Sequence, residues 1–348
     1  MKKALTILVR ILAAAVFILI LCAVIWREAA AAVFHNLAAP RADLPAQESW
    51  DGGTVYEKIP YSDVSPSDYL DLYVPSGEAR DLVVMVHGGG FVSGDSQTRQ
   101  ARLVYRYFRD NGYAVASVNY RLAQEAVYPD PVADVKAAVR FLRANADKYG
   151  YKADHITIMG ESAGGYLASM AALTADGECS DVPFIGEEEL SRPVSGQVQV
   201  LVDFYGCVEL GNMEADWKSL HYPDLLIKIA NSWASRDVLN GYENCESAFL
   251  GKNMSEMTPE EAYTYFPIYY AQKNLPYRDD LSIYIIHGDA DITVPMMQSL
   301  RFNDMLSDIL PMEKVALRIV RNAGHAADRI YFDEELERIR MFMEEGRQ

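Results

Sequence analysis

From residue 82 onward the chain alternates two textures, and that alternation restricts the fold more than any single motif does. Short runs rich in valine and isoleucine take turns with longer stretches whose apolar residues fall three and four apart. Leu82–Val86, Tyr113–Val118, His155–Met159, Val198–Phe204, Leu281–Ile286 and Val315–Val320 read as strands, and their near-continuous apolar character fits strands buried on both faces. Between them, Thr98–Asp110, Pro131–Tyr149, Ser162–Leu173 and Pro295–Ser307 read as helices, with Asp328–Glu345 after the last strand. In the second of these, Val132, Val135, Val139, Leu142 and Ala146 form one apolar stripe, and Pro131 suits a first helical turn. Strand alternating with helix predicts a mainly parallel sheet covered on both faces. Thr54–Tyr61 and Tyr69–Val74 alternate apolar with polar residues and read as an antiparallel pair ahead of it, giving eight strands.

One stretch breaks the rhythm. Residues 207–280 carry no clear strand but many aromatics, among them Trp217, Tyr222, Trp233, Tyr242, Phe249, Tyr265 and Tyr270. We read them as an insertion, a lid or cap over the active edge of the sheet; the alternative, compatible with it, is that these aromatics simply make a small core of their own.

The N-terminus is different again. Ile11–Trp26 is an unbroken apolar run of 16 residues, about 24 Å as a helix and short of a ~30 Å hydrocarbon core. Including Ala4–Val9, with Arg10 snorkelling to the headgroups, makes it long enough. Residues 1–27 hold Lys2, Lys3, Arg10 and Arg27 and no acidic residue, so the remainder is more negative than the whole chain's net charge of −17. That split predicts a membrane anchor with a cytoplasmic N-terminus and an extracytoplasmic domain. The alternative is a signal segment cleaved near Ala29–Ala32, giving a secreted protein. Residues 28–49 read as a linker, and residues 50–348 as the folded domain.

The acidic balance argues against a nucleic-acid partner, since phosphate contacts need clustered Lys and Arg. Cys22, Cys179, Cys207 and Cys245 match no zinc spacing. Cys179–Cys245 is the one disulfide to consider among them, and free, mostly buried thiols are the expectation. No metal and no cofactor are expected.

The chemistry centres on Gly160-Glu161-Ser162-Ala163-Gly164, between an expected strand and an expected helix. A sharp strand-to-helix turn forces the serine into strained backbone geometry, and flanking glycines remove the side chains that would clash. The helix N-terminus beneath the oxygen favours developing negative charge. His87-Gly88-Gly89-Gly90-Phe91 follows the third strand, and acyl transfer needs preorganised donors for an oxyanion. The amides of Gly89, Gly90 and Ala163 are the expected oxyanion hole. A serine also needs a base, and the base an orienting acid. His325, in a loop past the last strand, is the expected base. Asp289 and Asp291 compete for the acid, with Asp291, further out on its loop, preferred. His87 and His287 are expected to hold loops in place, and His221 falls in the insertion.

These residues bring a family into view. His-Gly-Gly-Gly-Phe, then Asn119-Tyr120-Arg121-Leu122, then Gly-Glu-Ser-Ala-Gly-Gly resemble hormone-sensitive-lipase-like esterases and their carboxylesterase relatives. Tyr69–Tyr73, Asp134–Leu142 and His287-Gly288-Asp289-Ala290-Asp291-Ile292-Thr293-Val294-Pro295 are similar to that group too, so the resemblance runs over residues 54–346. The hormone-sensitive-lipase branch usually carries its acid in an Asp-Pro-Leu segment. Here the acid loop looks instead like that of acetyl-esterase and feruloyl-esterase-like enzymes. The resemblance implies an α/β-hydrolase fold with the order Ser162, Asp291, His325, and two-step ester hydrolysis without metal or cofactor. The implied substrates are small-molecule or carbohydrate esters with short-chain or small aromatic acyl groups. A peptidase of prolyl-oligopeptidase type shares the sheet and the order, but no repeat array supplies the propeller that usually accompanies it. A silent hydrolase-like binding protein is the other alternative, although such shells commonly lose the serine or histidine, and both are present here. Nothing in the sequence speaks to oligomeric state.

Overall fold

The computed structural model describes residues 50–174, 176, 194–220, 225, 228 and 239–346. The expected anchor, the linker, Cys22, Cys179 and His221 lie outside the described residues. Among the described residues no helix is long and apolar enough to cross a membrane.

Eight strands form one sheet: β1 (Gly53–Pro60), β2 (Tyr69–Pro75), β3 (Leu82–Val86), β4 (Ala114–Val118), β5 (Ile156–Glu161), β6 (Val200–Phe204), β7 (Ser282–Gly288) and β8 (Val315–Val320). Their spatial order is β1-β2-β4-β3-β5-β6-β7-β8. β2 runs antiparallel to both neighbours, and every pairing from β4 to β8 is parallel. This is the expected mainly parallel, eight-stranded α/β sheet. β1 is an edge strand and largely exposed. β2 departs from the half-buried alternation expected of it: it lies between β1 and β4 and is buried at every position from Leu70 to Val74.

The main helices are α1 (Arg99–Asp110), α2 (Asp130–Ala144), α3 (Ala163–Leu173), α4 (Met213–Ser219), α5 (Cys245–Leu250), α6 (Pro267–Asn274), α7 (Met297–Ile309) and α8 (Asp333–Glu345). Thr98 caps α1, its hydroxyl accepting from the Ala101 amide. Two expected helices are interrupted where their apolar periodicity runs on. The stretch predicted over Pro131–Tyr149 is helical through to Tyr149, broken only at Asn145, whose side chain turns back to the Phe141 carbonyl between α2 and a last turn over Ala146–Tyr149. The stretch predicted over Asp328–Glu345 is a 3₁₀ turn, then extended Phe332, then α8.

The sheet separates two apolar layers. One holds α2, α3, α6 and α7, with Val132, Tyr166, Leu167, Ala271 and Phe302 fully enclosed. The other holds α1 and α8, with Val104, Phe108, Leu336 and Ile339 packed on Val83, Met85 and Met159. α3 is buried along its whole length, and its small residues let it lie close to the sheet. The insertion has no strand among its described residues. The alternative of aromatics with a core of their own does not hold for Phe249, Phe266 and Tyr270, which belong to the first layer's cluster, whereas Tyr242 packs on a small cluster with Leu239 and Ala248. Cys207 is buried, Cys245 is partly buried, and both are free thiols.

Candidate active site

β5 ends at Glu161 and α3 begins at Ala163, so Ser162 alone makes the turn between them. Its backbone sits at φ 54° and ψ −119°, a conformation that costs a non-glycine residue roughly 1–3 kcal/mol. The surroundings over-determine it. The Ser162 amide donates to the Phe204 carbonyl at 2.9 Å. A methyl on Gly164 would lie 2.3 Å from the Val86 carbonyl oxygen, and one on Gly160 would lie 2.1 Å from the Gly164 carbonyl oxygen. Backbone therefore packs on backbone around the serine, as the glycine pattern predicts.

The loop after β3 comes up beside it. A methyl on Gly88 would sit 3.3 Å from Ser162 Cβ. Gly89, Gly90 and Phe91 have φ of 114°, 59° and 65° in succession. The Gly89 carbonyl is turned back to accept from the Val92 and Ser93 amides. The amides of Gly89 and Gly90 donate to no described acceptor, and neither does that of Ala163 at the open N-terminus of α3. Three candidate oxyanion donors thus stand around one serine.

His325 lies in the loop after β8. Its Nε2 is 3.0 Å from Ser162 Oγ, and its Nδ1 is 2.7 Å from Asp291 Oδ2. With Nδ1–H donating to the carboxylate, Nε2 is left to accept from the serine hydroxyl. Asp291 is buried, and its Oδ1 accepts from the Thr293 and Val294 amides, both at 2.9 Å. Burial by itself would raise the Asp291 carboxyl. The charge of His325 and the contacts with His287 and His325 outweigh it and hold the group well below the usual carboxylate range. Asp289 takes another job: its Oδ1 accepts from the Asn322 amide at 2.6 Å and ties the acid loop to the histidine loop.

The two histidines expected to be structural are so placed. His87 donates from Nδ1 to the Gly88 carbonyl at 2.7 Å and stacks on Tyr120. Burial lowers its pKa to about 4, against the pull of the Gly88 bond, so the ring is neutral at pH 7. His287 donates from Nε2 to the Val294 carbonyl at 2.8 Å and accepts at Nδ1 from Ser299 Oγ at 2.7 Å, which braces the acid loop from below.

Three participants were not read from the sequence. Glu161, inside the serine motif, is buried and accepts at Oε1 from the Gly88 amide (3.2 Å) and Thr98 Oγ1 (3.3 Å). Its Oε2 accepts from the hydroxyls of Tyr205 (3.0 Å) and Tyr331 (3.1 Å), which also contact each other. Burial raises the Glu161 carboxyl, partly opposed by the Gly88 and tyrosine hydrogen bonds. The Tyr205 ring stands edge-on to His325, 4.8 Å between centroids. A carboxylate closing an otherwise apolar strand was the available signal, but its partners lie far along the chain. The insertion reaches the site as well. Trp217 on α4 donates from Nε1 to the Thr293 carbonyl at 2.9 Å. Arg301 on α7 pairs with Glu209 and Asp216, latching that segment to the helix after the acid loop. Among the described residues no group of three or more His, Cys, Asp or Glu side chains is placed to hold a metal ion.

Comparison with known proteins agrees with this architecture. The BD-FAE family model matches residues 70–306. Esterase LipQ of Mycobacterium tuberculosis is 26% identical over 274 residues, covering 78% of this chain and 56% of LipQ, so the chain spans about half the length of that relative. An acetyl esterase of Salmonella typhi is 34% identical over 134 residues, 38% of each chain. A truncated carbohydrate esterase from gut microbiota superposes with a TM-score of 0.69 at 24% identity, covering 86% of this chain and 99% of its own, a likeness of fold.

Proposed function

The chain belongs to the BD-FAE family, within the α/β-hydrolase esterases, and on that premise we propose that it is a serine carboxylic-ester hydrolase working through an acyl-enzyme. The observation that carries the reading is the unbroken chain from the Ser162 hydroxyl through His325 to the buried Asp291 carboxylate, beside three amides with no described acceptor. Ser162 Oγ attacks the ester carbonyl carbon as His325 Nε2 takes its proton. Asp291 holds the ring in the tautomer that leaves Nε2 free and stabilises the imidazolium. The tetrahedral oxyanion faces the amides of Gly89, Gly90 and Ala163. His325 returns the proton to the departing alcohol, and a water molecule repeats the sequence on the acyl-enzyme.

The proposed substrates are esters of short-chain or small aromatic acids, of acetyl or feruloyl type, on a small-molecule or carbohydrate alcohol. The names of the acetyl esterase and carbohydrate esterase relatives support this class, as does the aromatic insertion that meets the acid loop through Trp217. Residues 1–27 are proposed to anchor the protein in the membrane with the hydrolase domain outside the cytoplasm, on the strength of the apolar run and its basic flanks. Cleavage near Ala29–Ala32 would instead release it.

The test is hydrolysis of a p-nitrophenyl ester series, acetyl to palmitoyl, by the wild-type chain and Ser162→Ala. Turnover should be greatest on acetyl or butyryl esters and fall at least about 10⁴-fold in the variant. Serine-independent turnover, or a folded wild type inert on every ester, would sink the proposal.

A further inference from the structure

We propose that Glu161 is a positioning residue for the oxyanion loop: its carboxylate holds the Gly88 amide and so fixes the direction in which the Gly89 and Gly90 amides point. The inference rests on the ester-hydrolase reading above.

The far side of the loop is anchored, with the Phe91 carbonyl accepting from the Ala123 amide at 2.8 Å and the Phe91 ring stacked on Phe249, but its entry at His87 and Gly88 rests on fewer polar links. Its path through Gly89, Gly90 and Phe91 is left-handed at three successive residues, and no strand pairing extends past Val86. From outside the loop, the described hydrogen bonds to the backbone of His87 and Gly88 are the Tyr120 hydroxyl on the His87 carbonyl, at 3.0 Å, and Glu161 on the Gly88 amide. Gly88 also lies against the backbone of Glu161 itself. A tilt at Gly88 is therefore passed directly to the next two amides. Oxyanion donors act only if they are already aimed when charge develops, so a small misalignment acts on the transition state far more than on bound substrate.

Glu161 is in turn held from three directions. Thr98 Oγ1 at the start of α1, Tyr205 after β6 and Tyr331 after the histidine loop all donate to it, so with Gly88 its two oxygens receive four donors. The strut lies on the α1–α8 face of the sheet, opposite the face where α3 packs. It joins the glycine loop to the loops that carry Tyr205 and His325. Its carboxylate makes no described hydrogen bond to Ser162, Asp291 or His325.

The experiment compares wild type, Glu161→Met, Glu161→Gln and Tyr331→Phe in the full chain, on p-nitrophenyl acetate. Rates are normalised to the sites that titrate with a fluorophosphonate. Met fills the space but accepts nothing, and should lower kcat per titrated site about 10–10²-fold with KM within about threefold. Gln can keep an oxygen on Gly88 and turn its amide toward the tyrosine hydroxyls, so it should recover most of that loss. Affinity for a trifluoromethyl ketone analogue of the tetrahedral intermediate should fall in step with kcat. A merely structural role would reduce the titrated fraction and leave the rate per site alone. A Glu161→Met rate per site within about twofold of wild type, or a loss confined to KM, overturns the proposal. If Glu161→Met does not fold, Tyr331→Phe decides: a drop of more than about twofold in kcat per site supports the strut, and a smaller one overturns it. A wild type that neither labels nor turns over would fail the ester-hydrolase reading itself, a separate result.

Discussion

The rim of loops at the carboxyl edge of the sheet and the insertion between β6 and β7 are held by different forces. Around Ser162, placement comes from backbone contact and short polar links: carbonyl oxygens where a Gly160 or Gly164 side chain would be, and the Asp291–His325–Ser162 chain. In the insertion, placement comes largely from rings. Phe249 on α5 stacks on Phe91 at 4.1 Å and meets the edges of Tyr166 and Tyr128 at 5.3 and 5.9 Å. Close-range contacts specify residue type almost uniquely, whereas apolar packing accepts any side chain of suitable volume. The chemistry of such a protein is therefore tightly written, and its specificity loosely.

That contrast yields graded predictions. The largest effect should separate the two aspartates of the rim. Asp291→Asn should lower kcat by about 10³–10⁴-fold, because the amide no longer enforces the tautomer of His325, while the fold is kept. Asp289→Asn keeps an acceptor for the Asn322 amide and should stay within about threefold. Steady-state kinetics with circular dichroism checks both, and equal effects would break the assignment of the acid.

In the insertion the expected cost falls on stability. Phe249→Ala should destabilise by about 3–5 kcal/mol through an unfilled cavity in the first apolar layer. Tyr277→Ala, at a residue 79% exposed, should stay within about 0.5 kcal/mol. Denaturant melts measure both. A small loss for Phe249→Ala would mean that the insertion is not packed into the main core.

The smallest effect concerns a buried carboxyl beneath the rim. Asp203 on β6 accepts from the Gly206 amide with one oxygen, while the other has no partner among the described residues. Burial raises its pKa to about 6, with His287 and the Gly206 bond opposing, from an ordinary value of 3.8. Between those values the folded protein holds the proton more tightly than the unfolded chain. The native state then binds more protons, and this contribution to stability falls as pH rises from about 4 to about 6. Asp203→Asn should remove that fall, stabilising at pH 8 by on the order of 3 kcal/mol and by almost nothing at pH 4. Thermal melts at the two pH values test it, and a benefit independent of pH would rule out the proton as its source.

Much of the site was legible in the sequence because its constraints are local. A one-residue strand-to-helix turn asks for glycines at fixed offsets, and Gly160 and Gly164 meet that demand. The order Ser162, Asp291, His325 followed from loops at the ends of β5, β7 and β8. Asp289 and Asp291 could be ranked but not decided, since two residues on one loop differ only in where that loop bends. Glu161 stood in full view, but its partners Thr98, Tyr205 and Tyr331 come from three separate connections. One helix start was misjudged, at Asp328, because extended Phe332 separates a 3₁₀ turn from the helix that begins at Asp333.

By itself, then, the sequence determined the alternation that makes a parallel sheet, the elbow that carries Ser162, and the residue types able to move a proton to and from it. These depend on periodicity, chirality and short-range sterics, which act within a few residues. The tertiary structure alone decided that Asp291 and not Asp289 faces His325, that the insertion's aromatics merge with the main core, and that one buried carboxylate ties the oxyanion loop to two tyrosines. Those outcomes depend on contacts between residues 34 to 170 apart in the chain, and no local pattern encodes a distance between two loops until the sheet has brought them together.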